Sequence, residues 1–237
     1  MTKSVLMLVA NPATSPVTGW PIGFWWAELS HAWLAFNHAG YTITIASPEG
    51  GDLEADMWSD PDHESGYSAS DIVSKGFKEA APTRDLIKGT PALADLDLEQ
   101  FDAIFVVGGQ SPMVSMVDDE RVHKAFAAMY DAGKIVSAVC HGTCILLKTK
   151  RADGSLLVQD KTWTGFANSE ERYAEGAAGQ KIQPFWIEEE AKKLDGTNFI
   201  TGGLLAEFAV RDGNLITGQQ QMSSGATAAL VIEALGT

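Results

Sequence analysis

At 237 residues and 25.4 kDa, the chain has room for one large α/β domain or two small ones. Folding at this size hides roughly 70% of the unfolded surface, enough for a full core without disulfide staples. With 17 basic against 31 acidic residues and a net charge of −14, it repels polyanions and has no basic cluster to offset this, which argues against nucleic acid and anionic membrane as partners. The apolar run Val5 to Ala10 is too short for a signal-peptide core with its cleavage site, and no stretch approaches a membrane span. A soluble, cytoplasmic protein is the expectation.

In chain order, Lys3 to Ala10 reads as a buried strand from its continuous apolar character, and Trp25 to Ala39 as an amphipathic helix closed by Gly40. Tyr41 to Ala46 is β-rich and is broken by Ser47-Pro48. From 47 to 70, Glu49, Asp52, Glu54, Asp56, Asp60, Asp62 and Glu64 lie among Gly, Pro and Ser, which predicts an irregular acidic loop or lid. The spacing of Asp60, Asp62 and Glu64 resembles a calcium loop, but the EF-hand glycine is missing, so a solvated loop is the reading. Phe101 to Val107 predicts a strand ending at Gly108-Gly109, Asp118 to Ala132 a helix, Lys134 to Val139 a buried strand, and His141 to Lys148 another helix. Lys161 to Gly165 reads as a strand and Pro184 to Leu194 as a helix. Phe208 to Arg211 and Leu215 to Thr217 flank Asp212-Gly213 as a hairpin, before a closing helix over Gly225 to Leu235 capped at Ser223-Ser224. Repeated β-α units of this kind predict a flavodoxin-like, doubly wound, mostly parallel sheet with helices on both faces. Ligands bind such sheets beyond the carboxyl ends of the strands.

Chemistry gathers at those ends. Cys140 follows a buried strand and opens a helix, the geometry of a nucleophile elbow, where the helix N-terminus is expected to lower the thiol pKa. Cys144, among Ile145, Leu146 and Leu147, reads as a small core hydrophobe, and the spacing from Cys140 fits neither a redox pair nor a zinc knuckle. The glycines at 108 and 109 free backbone N–H groups to approach a bound oxygen. Glu28 falls on the inner stripe of its helix by spacing, where tryptophans would raise its pKa. The same residue also reads as a solvated glutamate on the outer face. None of the five histidines follows position 141, so a glutamine amidotransferase-type triad with a downstream histidine is closed, and His141 is the economical imidazole partner for Cys140.

These motifs together resemble the DJ-1/PfpI (ThiJ) superfamily, a class I glutamine amidotransferase-like fold, and most closely its Hsp31-like branch. The resemblance rests on "GFWWAELSHAWLAFNHAGYTITIASPEGG", "FDAIFVVGGQSPM", "AVCHGT", "TGFANSEE" and "LITGQQQMSSG", in order along nearly the whole chain. It implies one domain over 1–237 with residues about 47–95 as an acidic cap over the site. Cys140 then matches the nucleophile, Glu28 the carboxyl bonded to it, His141 the triad histidine and Gly109 an oxyanion donor. An acidic residue after the elbow orients the histidine; Glu170 and Glu171 both offer themselves, and Glu171 fits the spacing better. One departure is Gln110, where the branch often has histidine.

The resemblance implies glyoxalase III-type chemistry: methylglyoxal to D-lactate without glutathione, through a cysteine hemithioacetal, with no metal or organic cofactor. It also implies a small reactive aldehyde as substrate and a homodimer as the assembly. Two other readings use the same residues: a cysteine peptidase or amidase, and an oxidative-stress sensor or chaperone in which Cys140 is oxidised beside a protonated Glu28.

Overall fold

The computed structural model describes residues 2–236. Six strands form the central sheet: β1 (Ser4–Leu8), β2 (Thr42–Ala46), β3 (Ala103–Val106), β4 (Ile135–Val139), β5 (Ala209–Asp212) and β6 (Leu215–Gly218). Their order is β2-β1-β3-β4-β6-β5, parallel except for β5, which runs antiparallel to β6 at the edge. This is the flavodoxin-like winding, with its switch point between β1 and β3. Every residue of β3 and β4 is buried, as expected of strands covered on both faces.

Five helices carry most of the packing: α1 (Trp26–His38), α2 (Ile72–Glu79), α3 (Glu120–Asp131), α4 (Asn168–Ala178) and α5 (Ser224–Leu235). Helix α1 buries Leu29, Ala32 and Phe36 and ends before Gly40, whose φ of 75° closes it in the left-handed conformation. It packs on α5, and Ser224 at the start of α5 donates to the Glu28 carbonyl at 2.7 Å. Helix α3 starts where the Asp119 side chain accepts from Arg121 N, and it packs along β3 and β4.

Several elements depart from the sequence expectation. The predicted strand 161–165 is only Thr162–Trp163, paired in parallel with Asn198–Phe199 outside the main sheet. The predicted helix 184–194 shortens to Ile187–Ala191. In the hairpin, the residue pair Asp212↔Leu215 closes the strands, so the two-residue turn is Gly213-Asn214. Asp212 is kept in the strand because its carboxylate accepts from Thr162 N and Lys161 Nζ. Between 47 and 95 the chain is irregular up to Asp71 apart from a 3₁₀ turn at Met57–Ser59, then forms α2, a short helix at Ala81–Arg84 and 3₁₀ turns at Asp85–Ile87 and Leu93–Asp95. Asp71 starts α2 by accepting from the N–H groups of Val73 and Ser74. Lys78 Nζ joins Asp60 and Asp62 at 2.6 and 2.9 Å, filling the concavity of the calcium-like spacing with an ammonium.

Candidate active site

Strand β4 ends at Val139, and the chain turns through Cys140 at φ 57°. A non-glycine residue held there costs on the order of 1–3 kcal/mol, and the turn lifts its side chain off the end of the sheet. The segment that follows, Cys140–Leu147, is a 3₁₀ helix rather than the predicted α-helix. The Thr143 hydroxyl donates to the Cys140 carbonyl at 2.6 Å, taking the acceptor an α-helix would offer to Cys144 N–H. Cys144 lies in the core with its thiol against the Pro112 carbonyl at 3.4 Å, and burial pushes that thiol up, as an inert packing cysteine requires.

Glu28 takes the inner of its two possible faces. It is fully buried, and its Oε2 accepts from Gly108 N–H at 2.8 Å, while Oε1 is buried without a partner. Burial pushes its carboxyl up to about 8, against the lowering effect of the Cys140 side chain and the Gly108 N–H. His31, one turn on, points the other way and pairs with Asp71 at 2.9 Å.

Burial also pushes the Cys140 thiol up, and an ionised Glu28 pushes it further; the backbone N–H groups of His141 and Gly109 act in the opposite direction. The helix N-terminus therefore does not produce the lowered thiol pKa expected from sequence. Two like charges cannot share so dry a site. At neutral pH Glu28 holds the proton, its repulsion is absent, and that proton is available to the sulfur.

His141 links the sulfur to a second carboxylate. Its Nδ1 lies 3.5 Å from Cys140 Sγ and its Nε2 3.0 Å from Glu171 Oε1. With Nε2–H turned to the carboxylate, Nδ1 is left as the acceptor facing the thiol. The Phe166 ring stacks on the imidazole at 4.0 Å and fixes its plane. Burial raises the Glu171 carboxyl, and the histidine opposes that rise. Glu170 is spent elsewhere: it accepts from Ala167 N, Gln219 Nε2 and Leu205 N. The geometry thus separates the two neighbouring glutamates.

The diglycine turn closes the site. A Cβ on Gly108 would collide with the Glu28 carboxyl, and one on Gly109, at φ 103°, would fall 2.5 Å from the Gly23 carbonyl. Only glycines let the turn come this close to α1 and the elbow.

Asp56 is the residue that sequence reasoning placed wrongly. Counted among the solvated acids of the loop, it is 1% exposed. Its carboxylate accepts from Gly23 N at 3.0 Å, Gln110 N at 2.6 Å and Gln110 Nε2 at 3.3 Å, tying the acidic segment to the diglycine turn. Burial pushes it up to about 7. Gln110 Oε1 is left buried and unpaired. A cavity of about 370 Å³ opens over Cys140 and His141, walled by Trp25, Trp58, Tyr67, Phe166 and Tyr173.

A strand-end cysteine, histidine and buried carboxylate on a flavodoxin-like sheet define the class. The DJ-1/PfpI family model matches residues 23–234, and the chain belongs to this family. Glyoxalase 3 of Candida albicans is 29% identical to it, over 99% of this chain and 98% of that protein. The glutathione-independent glyoxalase HSP31 of Saccharomyces cerevisiae is 26% identical over 90% of this chain and 89% of its own. The crystal structure of glyoxalase III from Candida albicans has a TM-score of 0.79 at 26% identity, covering 98% of this chain and 97% of that one. These similarities support the Hsp31-like branch. Among the described residues, no helix is long and apolar enough to cross a membrane.

Proposed function

We propose that this chain is a glutathione-independent glyoxalase of the glyoxalase III type, a D-lactate dehydratase that converts methylglyoxal to D-lactate with Cys140 as nucleophile. The observation that carries the reading is the arrangement around Cys140 Sγ: His141 Nδ1 at 3.5 Å, Glu171 at 3.0 Å behind the imidazole, and a carboxyl whose proton persists to about 8. The glyoxalase names of the full-length relatives support the same reaction.

Cys140 Sγ adds to the aldehyde carbon as His141 Nδ1 accepts the thiol proton. Gly109 N–H stabilises the alkoxide that develops. The alkoxide takes the Glu28 proton and becomes the hemithioacetal hydroxyl, leaving Glu28 a carboxylate. That carboxylate removes the hydrogen of the former aldehyde carbon as a proton, while His141 returns its proton to the neighbouring ketone oxygen. The resulting enediol collapses when Glu28 delivers the proton to the second carbon and takes up the proton of the first hydroxyl as the thioester carbonyl forms. The product is a lactoyl thioester on Cys140, with all protein groups back in their starting states. Delivery from one fixed carboxyl selects a single face and hence one enantiomer. Water, activated by His141, then hydrolyses the thioester to lactate and free thiol. The internal thiol takes the part that glutathione plays elsewhere, and the sequence of steps calls for no metal or organic cofactor.

In this reading the chain is one DJ-1/PfpI-like domain, and residues 47–95 act as a cap on it. Trp58 and Tyr67 in the cavity wall and the Asp56 link to Gln110 support that role. The resemblance also carries a homodimer and a cytoplasmic location, which sedimentation equilibrium and cell fractionation would check. The test of the function is D-lactate formation from methylglyoxal without glutathione. Turnover by the wild type and its loss in Cys140→Ala is the expected result; a folded wild type without turnover overturns the reading.

A further inference from the structure

The cavity over Cys140 is larger than methylglyoxal needs. About five heavy atoms, at the ~30 Å³ a water takes in the liquid, fill roughly 150 Å³, less than half of the 370 Å³ available. A substrate that leaves the remainder to water forfeits the burial its walls offer.

Those walls have a definite chemistry. Trp25, Trp58, Tyr67, Phe166 and Tyr173 present ring faces and edges, and Ile182, 4% exposed, adds an aliphatic floor. Tyr67 and Tyr173, 44% and 45% exposed, carry the aromatic lining out to the mouth. Among the described residues no lysine or arginine lines the cavity, whereas Glu170 and Glu171 do. A carboxylate or phosphate on the substrate would meet negative charge and find no cation to pair with.

We infer that the preferred substrates are neutral 2-oxoaldehydes bearing an aromatic or branched apolar group, with methylglyoxal a small member of the class. The inference rests on the glyoxalase reading and specifies it. The reactive head lies at Cys140, and the apolar tail lies against the rings.

Helix α4 gives the means to test it. Ala174 lies one turn after Glu171 and lines the cavity, as does Ala177 nearer the mouth. Ala174→Leu and Ala177→Leu keep helix propensity and reduce the space for the tail. kcat/KM would be measured for phenylglyoxal, 4-carboxyphenylglyoxal and methylglyoxal, with hydroxy-acid product as readout. The wild type is expected to favour phenylglyoxal over methylglyoxal by about tenfold or more, and to discriminate against the carboxylated ring by a similar factor. Ala174→Leu or Ala177→Leu is expected to lower the phenylglyoxal-to-methylglyoxal ratio by about fivefold or more, a comparison in which the intrinsic reactivity of the two aldehydes cancels. Turnover of methylglyoxal without the aryl preference, or with a ratio that neither leucine variant moves, overturns this inference alone. Turnover of none of the aldehydes overturns it together with the glyoxalase reading.

Discussion

Asp56 and Asp60 stand four residues apart in one acidic run and behave as opposites. Asp56 turns inward and keeps its proton up to about 7, because burial outweighs its three N–H donors and the attraction of His141. Asp60 turns outward and holds Lys78 at 2.6 Å. Around Asp56 lies the inner set, with Glu28 and Glu171, where burial raises every carboxyl. Around Asp60 lies the outer set. There a hydrogen bond from Lys78 lowers Asp62, and for Asp71 the bonds from His31 and Ser74 overcome the rise from burial and bring it to about 2. The same residue type serves as a proton store in one region and as a fixed charge in the other. The difference lies in burial against partnership, not in local composition.

The strongest way to break this contrast is to remove the inner proton. Glu28→Gln is expected to lower kcat for D-lactate formation about 10²–10⁴-fold. It should also change stability with a definite sign. Glu28 has a raised folded pKa, so the folded state binds the extra proton between about 4.5 and 8, and wild-type stability falls as pH rises through that window. Denaturant unfolding should therefore show Glu28→Gln gaining on the wild type from pH 5 to 8, by up to several kcal/mol; parallel curves would contradict the assignment. Glu171→Gln removes the charge behind His141 while keeping its shape, and a loss of about 10² in kcat/KM is expected, with the fold intact by circular dichroism.

The outer set should respond in stability alone. Asp71→Ala deletes the cap of α2 and the His31 pair, costing about 1–2 kcal/mol at neutral pH. Asp71 has a depressed folded pKa, so that contribution is present above about 4 and lost as pH falls through about 2. The smallest effect is expected for Lys78→Met, under about 1 kcal/mol, since its ion pairs are partly solvated. A drop in turnover with Lys78→Met would erase the distinction between the two regions.

Much of this arrangement was legible in the residues. β1, β3 and β4 announce themselves as nearly continuous apolar runs, with Ser137 the one polar residue in their interiors, and Cys140, His141, Gly108 and Gly109 stand where such strands stop. The orientation of Glu28 was not legible, because a glutamate beside Leu29 and Ala32 fits either face until α5 and the diglycine turn cover one of them. Asp56 was hidden for a related reason: its burial depends on Gly23 and Gln110, which are remote in sequence. Helix α4 was hidden by its polar composition: its inner face looks into a cavity, so Ala174 and Tyr173 replace the usual aliphatic stripe. Its end signals were present all the same, with Glu170 and Glu171 in the first turn and Gly179 at φ 69° after the last.

Catalysis in this reading turns on a buried carboxyl beside Cys140 that keeps its proton at neutral pH. Infrared difference spectra of wild type against Glu28→Gln, recorded from pH 6 to 10, test it directly. The predicted result is a protonated-carboxyl carbonyl band in the wild type at pH 6 that disappears with a midpoint near 8. Absence of that band at pH 6 would show Glu28 already ionised and would contradict the account.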